Sequence, residues 1–252
     1  MDGRPGSAHA GVGVTTACGP RGASGKMNEP GSTLARVELK IPAAPEDLAR
    51  LTPGNVVYLD GAVYTAREGV YRKVLDEGAA LPDGLADVSN ANFHCSPAAA
   101  RAPDGTFNVG GVTATASFRF SKWMPRWFEM SGAKVVIGKG GMSGADYREH
   151  FVPAGAVYLT TVGYGTGALL GRGIRRVRNV YWLDELGIAQ AMWVFEVERF
   201  GPFLVESDLA GNSLFEAQGR LVNENLDRVY AGLRPPALRR YGETDDREEE
   251  LI

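Results

Sequence analysis

The sequence predicts a mixed α/β fold, and three observations carry that reading. Short apolar runs alternate with segments of helical period. Two glycine loops each follow a predicted strand. The composition is that of an ordinary globular chain: 252 residues, 44% hydrophobic and 23% charged, values foreign to disordered, collagen-like or disulfide-rich proteins. A net charge of −3 removes the electrostatic argument for a general nucleic-acid binder, which needs a basic surface. Two cysteines cannot build a disulfide framework, a four-cysteine zinc site or an iron–sulfur cluster. No apolar run approaches the roughly 20 residues of a membrane helix, and the expected compartment is a reducing cytoplasm.

Each element has its own warrant. Residues 1–33 are rich in Gly, Ala, Ser and Thr without periodicity, so they are expected to form a disordered extension or to reflect a misplaced start. Residues 34–232 form the expected domain, and 233–252, ending in a run of acids, a solvated tail. Val37, Leu39 and Ile41 alternate as a half-buried strand does. Pro45-Glu46-Asp47 suits the first turn of a helix. The runs 55–59 and 62–64 flank Asp60-Gly61, the signal of a two-residue hairpin. Glu68 to Glu77 predicts a helix and Phe107 to Val112 a strand. Ser121 to Met130 places Trp123, Met124, Trp127 and Phe128 at helical spacing, an aromatic stripe that reads as core. Lys134–Ile137 is a strand entering Gly138-Lys139-Gly140-Gly141. Ala156–Thr160 is a strand before the second glycine loop, with a helix to about Val177 and a strand over 180–183. Ala191–Val197 and Phe203–Glu206 predict a pair of strands, and Leu221–Tyr230 a closing helix.

Three cations fall at element ends or in loops, where function concentrates. Arg67 follows a strand, Arg119 follows a Thr/Ala run, and Lys139 lies inside a glycine loop. Arginine offers a planar fork to a carboxylate, and lysine a compact charge. Glycines at 138, 140 and 141 let backbone N–H groups approach an anion. Together they describe a pocket for a small anion, set against three unrelated surface cations. The second loop, Gly163-Tyr164-Gly165-Thr166-Gly167-Ala168, fits GxGxxA, with Asp184 about 20 residues on; this keeps a dinucleotide-binding reading open. His9 lies in the extension and His150 ends a polar helix. His94 and Cys95 are adjacent in a strand-like stretch and point to opposite faces, so all three histidines read as structural or solvent-facing.

Several segments occur together in a telling order: Thr65-Ala66-Arg67-Glu68, Thr115-Ala116-Ser117-Phe118-Arg119-Phe120, Val136-Ile137-Gly138-Lys139-Gly140-Gly141-Met142, Tyr181-Trp182-Leu183-Asp184-Glu185-Leu186-Gly187, Phe200-Gly201-Pro202 and Ala210-Gly211-Asn212-Ser213-Leu214. Over roughly residues 35–230 the chain resembles the β subunit, or C-terminal domain, of the iron–sulfur hydro-lyases of the class I fumarase and L-tartrate dehydratase family. The resemblance implies a swivelling β/β/α domain. It also implies a partner α subunit whose cysteines hold a [4Fe–4S] cluster, leaving this chain as half of an active site in a hetero-oligomer. The reaction implied is the reversible dehydration of a 2-hydroxy dicarboxylate. By position, Arg67, Arg119, Lys139, Ser117 and Gly140 match substrate-binding residues, and Thr115 matches the threonine proposed as the base.

The departures from the family pattern lie in the same segments. Gly-Pro before the threonines is Thr113-Ala114 here, and the second threonine is Ala116. The Arg-Asp-x-x-His segment reads Arg67-Glu68-Gly69-Val70-Tyr71, and the aromatic-Ala-Gly-Pro segment reads Phe93-His94-Cys95-Ser96-Pro97. They point to a divergent subfamily with an altered substrate. A non-catalytic, anion-binding or regulatory relative of the subunit is the alternative.

Overall fold

The computed structural model describes residues 34–163 and 165–232. The expected extension 1–33 and tail 233–252 lie outside the described residues. Nine strands are present among them: β1 Arg36–Lys40, β2 Val56–Thr65, β3 Ala91–Phe93, β4 Cys95–Arg101, β5 Phe107–Ala114, β6 Val135–Gly138, β7 Val157–Thr161, β8 Ile174–Tyr181 and β9 Met192–Ser207. Seven form one sheet in the order β1-β2-β3-β6-β7-β9-β8, while β4 and β5 make a separate antiparallel hairpin. Strands β1, β2, β3, β6 and β7 run parallel. Strand β9 runs antiparallel to β7 and also pairs with β2, so the circuit β2-β3-β6-β7-β9 closes on itself. The α/β class is as expected.

Period-2 alternation divides the core into two layers. Val135 and Ile137 of β6, with Val157 and Leu159 of β7, join one cluster that includes Phe93, Phe195, Phe200 and Phe203. Val136 and Tyr158 point the other way, into a second cluster beneath the helices, with Tyr71, Trp123, Met124, Trp127 and Phe128. The aromatic stripe is therefore core, as its spacing predicts. It is presented by a 3-10 segment, Ser117–Trp123, that runs into the helix Met124–Ser131. Burying each such ring contributes on the order of 2–3 kcal/mol. Among the described residues no helix is long and apolar enough to cross a membrane.

Four expectations are corrected by the structure. Asp60-Gly61 is not a hairpin turn: β2 runs through it unbroken, with pairing irregularities against β9. Gly61 sits at φ +122, and a Cβ there would lie 2.2 Å from the Ile41 carbonyl oxygen. The glycine marks a close approach of two backbones, which produces the same local signal as a turn. The helix after the second glycine loop, Thr166–Gly173, stops before the predicted Val177, and β8 starts at Ile174. The runs around 191–197 and 203–206 are one bent strand, β9. The closing helix begins earlier, at Leu214.

The dinucleotide reading also fails on topology. The loop at 163–168 does precede a helix, but β8, the strand that follows, pairs with β9 and not with β7, so no βαβ unit of neighbouring parallel strands forms. Gly163 and Gly165 take positive φ in open space, whereas Gly167 and Gly171, in the helix, serve packing. A Cβ on Gly167 would lie 2.6 Å from the Val112 carbonyl oxygen, and one on Gly171 2.7 Å from that of Gly110. The helix therefore lies directly against the β5 backbone.

Substituting Gly61→Ala should cost more than about 2 kcal/mol, because the new methyl meets backbone rather than a yielding side chain. Urea unfolding of the variant checks this; an unchanged midpoint would contradict the close approach.

Candidate active site

The parallel strands β2, β3, β6 and β7 carry their C-terminal ends to one edge, where the loops that follow them gather. The candidate residues follow these ends. Arg67 comes two residues after β2, His94 directly after β3, and Lys139 directly after β6. Thr115 follows β5, and the base of the β4–β5 hairpin brings it there: Cys95 pairs with Ala114, and the Thr115 N–H donates to the His94 carbonyl at 2.6 Å.

Thr115 and Lys139 are then joined backbone to backbone. The Lys139 N–H donates to the Thr115 carbonyl at 3.2 Å, and the Ser117 N–H donates to the Lys139 carbonyl at 3.3 Å. Thr115 is buried at 8% exposure, whereas Lys139, Gly140 and Arg119 are exposed. Gly140 adopts φ +75 and Gly141 φ +71, turns open to glycine at no steric cost. Arg67 is half-buried, and its Nη1 donates to the Ala189 carbonyl at 2.7 Å, which orients the fork. Burial and then the Arg119 charge lower the Arg67 pKa, so the two guanidiniums are electrostatic neighbours. Among the described residues none of Arg67, Arg119 and Lys139 forms an ion pair. A cavity of about 380 Å³ adjoins Lys139, walled by Thr113, Ala114, Thr161 and the Gly163–Gly167 side.

Ser117 departs from its expected role as a substrate contact. It is fully buried, and its hydroxyl is engaged inward: His94 Nδ1 lies 2.6 Å away, and the Tyr158 hydroxyl donates to it at 2.7 Å. The network continues from His94 Nε2 to the Tyr71 hydroxyl, 2.7 Å away, which accepts from Asn92 Nδ2 at 2.6 Å. All five residues are fully buried. Gly138 makes room for it, since a Cβ there would lie 2.0 Å from Ser117 Oγ and 2.6 Å from the Tyr158 hydroxyl. Position-by-position reading misses this network. The one signal for it was that Tyr71 and His94, two of the departures from the family pattern, both fall in the segments around the site.

Burial sets the protonation of this layer. It pushes the His94 imidazole down to about 3, helped by the Arg67 charge. It pushes the Tyr71 and Tyr158 phenols and the Cys95 thiol up. Cys95 sits in the first core cluster, across the chain from His94, so the two make no catalytic pair. Behind the glycine loop Glu206 is fully buried, accepts from Ser213 Oγ at 2.5 Å, and has its pKa raised by burial. Among the described residues no group of three or more His, Cys, Asp or Glu side chains converges as a metal site, and Cys95 is a single buried thiol. The donor set of the described residues therefore does not fit an iron–sulfur cluster.

The sign of the His94 effect is definite. An unfolded imidazole takes up a proton near pH 6.5, the folded one only near 3. Its burial therefore costs nothing above that range, and up to about 1.4 kcal/mol per pH unit as the pH falls from 6.5 toward 3. NMR of the histidine rings should show one imidazole that does not titrate between pH 8 and 5. A His94 signal moving with a midpoint near 6.5 would contradict the buried, neutral assignment.

Comparison with known proteins agrees with this arrangement. The family model described as the fumarase C-terminus matches residues 17–218. The chain is 34% identical over 187 residues to a Methanocaldococcus jannaschii protein provisionally named L(+)-tartrate dehydratase subunit beta, covering 73% of this chain and 93% of that one. It is 30% identical over 191 residues to the L(+)-tartrate dehydratase subunit beta of Escherichia coli K12, covering 76% and 92%. It is also 30% identical over 181 residues to a Geobacillus stearothermophilus protein provisionally named fumarate hydratase class I, covering 71% of this chain but only 34% of that longer one. With crevice, cations and threonine segment set at one sheet edge, and with near full-length matches to beta subunits, the chain belongs to the fumarase C-terminus family.

Proposed function

We propose that this chain is the β subunit of a hydro-lyase acting on a 2-hydroxy dicarboxylate of the malate or tartrate type, completed by an α subunit that holds the iron–sulfur cluster. The observation that carries the reading is the backbone pairing of Thr115 with Lys139 beside two arginines that lack acidic partners among the described residues. Like charges held together without counter-ions repel one another, and an incoming dianion relieves that repulsion.

The dehydration removes a proton from one carbon and hydroxide from its neighbour, leaving a carbon–carbon double bond. This chain serves the proton side. Arg67 and Arg119 take the carboxylates, the oriented fork of Arg67 fixing one end and the exposed Arg119 closing from above. Lys139 and the Gly140 backbone stabilise the charge that builds on the carboxylate next to the deprotonated carbon. Thr115 accepts the proton. A hydroxyl is a weak base, and the neighbouring Lys139 ammonium favours its deprotonated form. Ser117 holds this segment from beneath and does not touch substrate. The cavity between Lys139 and the Thr113-Ala114 end of β5 leaves space for a substituent, consistent with a shifted substrate.

Anaerobic co-expression with the candidate α subunit, followed by dehydration assays on malate, tartrate and their methylated relatives, tests the activity. Turnover of one diacid supports the reading, and a complex inert toward all of them supports a non-catalytic anion-binding role instead. Arg119→Ala should lower kcat/KM by about 10²–10³-fold with the melting temperature unchanged, because the side chain is exposed and forms no ion pair among the described residues. Near-normal turnover would remove Arg119 from the site. Thr115→Val should retain substrate binding and lose exchange of the substrate C–H proton with deuterated solvent. Continued exchange would show that the base is elsewhere.

A further inference from the structure

We propose that His94 is a positioning residue, a buried strut that ties the Arg67 helix, the Thr115 segment and the Lys139 strand into one unit. The proposal rests on the reading of Thr115 and Lys139 given above. His94 reaches all three. Its N–H donates to the Ile137 carbonyl at 2.8 Å, two residues before Lys139, and its carbonyl receives the Thr115 N–H at 2.6 Å. Its ring holds Ser117 through Nδ1 and Tyr71 through Nε2. Tyr71 ends the helix Glu68–Tyr71 that Arg67 caps. The ring is packed edge-on against Phe120, 4.9 Å between centroids, and against Tyr71 at 5.9 Å.

The chemistry suits a strut rather than a proton carrier. A neutral imidazole has one donor and one acceptor. The hydroxyls of Ser117 and Tyr71 can each take either role, so the chain of bonds closes in both tautomers. A charged ring would donate at both ends and stand near the Arg67 cation, and burial keeps it neutral. The strut works through its Nδ1 end, since Ser117 lies two residues from Thr115 and bonds back to the Lys139 carbonyl. The Nε2 end, through Tyr71, sets the helix that carries Arg67.

The two ends can be separated. An asparagine at 94 places its amide about where Nδ1 sits and keeps the Ser117 bond. A glutamine reaches to where Nε2 sits and keeps only the Tyr71 bond. In the α-subunit complex, His94→Asn should keep kcat within about threefold. His94→Gln should lose kcat by about ten- to a hundredfold, the scale of a sub-ångström to ångström misplacement, with KM changed by less than about threefold. Equal kcat in the two variants, or a loss confined to KM, would overturn the proposal. Should His94→Gln fail to fold, Ser117→Ala removes the same bond from the other end, and normal kcat there would overturn it equally. Amide hydrogen exchange at Thr115 and Ser117, measured without substrate, reads the strut apart from activity. Faster exchange in His94→Gln than in His94→Asn supports the strut even if the wild-type complex dehydrates nothing, in which case it is the functional reading that fails. Equal exchange would overturn the strut whatever the activity.

Discussion

The space left by the missing side chain at Gly138 is the constraint on which the site depends. Ser117 and Tyr158 meet there, and a single methyl would stand 2.0 Å from the serine hydroxyl. With that space open, Ser117 can sink beneath β6 and join His94. With Ser117 sunk, the backbone on either side can pair with Lys139. The lysine and the threonine are thus neighbours because a glycine precedes the lysine. The glycine loop was read from sequence as a cradle for an anion; of its later glycines, Gly140 is exposed and Gly141 is buried against Tyr147 and Glu206. Its first glycine serves the architecture below.

The site has two electrostatic layers. On the rim stand Arg67, Arg119 and Lys139, without ion pairs among the described residues. Beneath lies a hydrogen-bonded layer of Asn92, Tyr71, His94, Ser117 and Tyr158, every member kept uncharged by burial or by nature. A charged floor would either cancel the rim or add to its repulsion. A neutral, bonded floor fixes geometry without altering the field above it, although the Asn92 Oδ1 within it finds no partner among the described residues.

Much of this was legible in the sequence, and the remainder failed for identifiable reasons. The strands β6 and β7, the aromatic stripe and the position of Arg67 and Lys139 just past strand ends follow from local pattern, whereas Arg119 lies inside the 3-10 segment Ser117–Trp123. Gly61 misled because a glycine demanded by a backbone passing close by is spelled like a glycine demanded by a turn. The loop at 163–168 misled because Gly163 and Gly165, both at positive φ, fit the spacing of a phosphate loop, while the neighbouring Gly167 and Gly171 pack a helix on β5. Ser117 was matched to a family position as a ligand contact; only three dimensions show Tyr158, 41 residues on, claiming its hydroxyl. Tyr71 and His94 each read as a lone departure. Their 2.7 Å contact makes them a single feature spread over two segments.

Strand β9 is sixteen residues long and pairs with β2, β7 and β8. It comes after every residue of the candidate site, yet its partners include the first long strand of the sheet. On a ribosome, Arg67, Thr115, Arg119 and Lys139 all emerge well before the strand that closes their scaffold. Such distant pairings slow folding, because a long loop must close before any contact rewards it. The unpaired edges of β2 and β7 stand open in the interval, the state in which nascent chains stick to one another. A subunit of this design gains from having its last third made promptly.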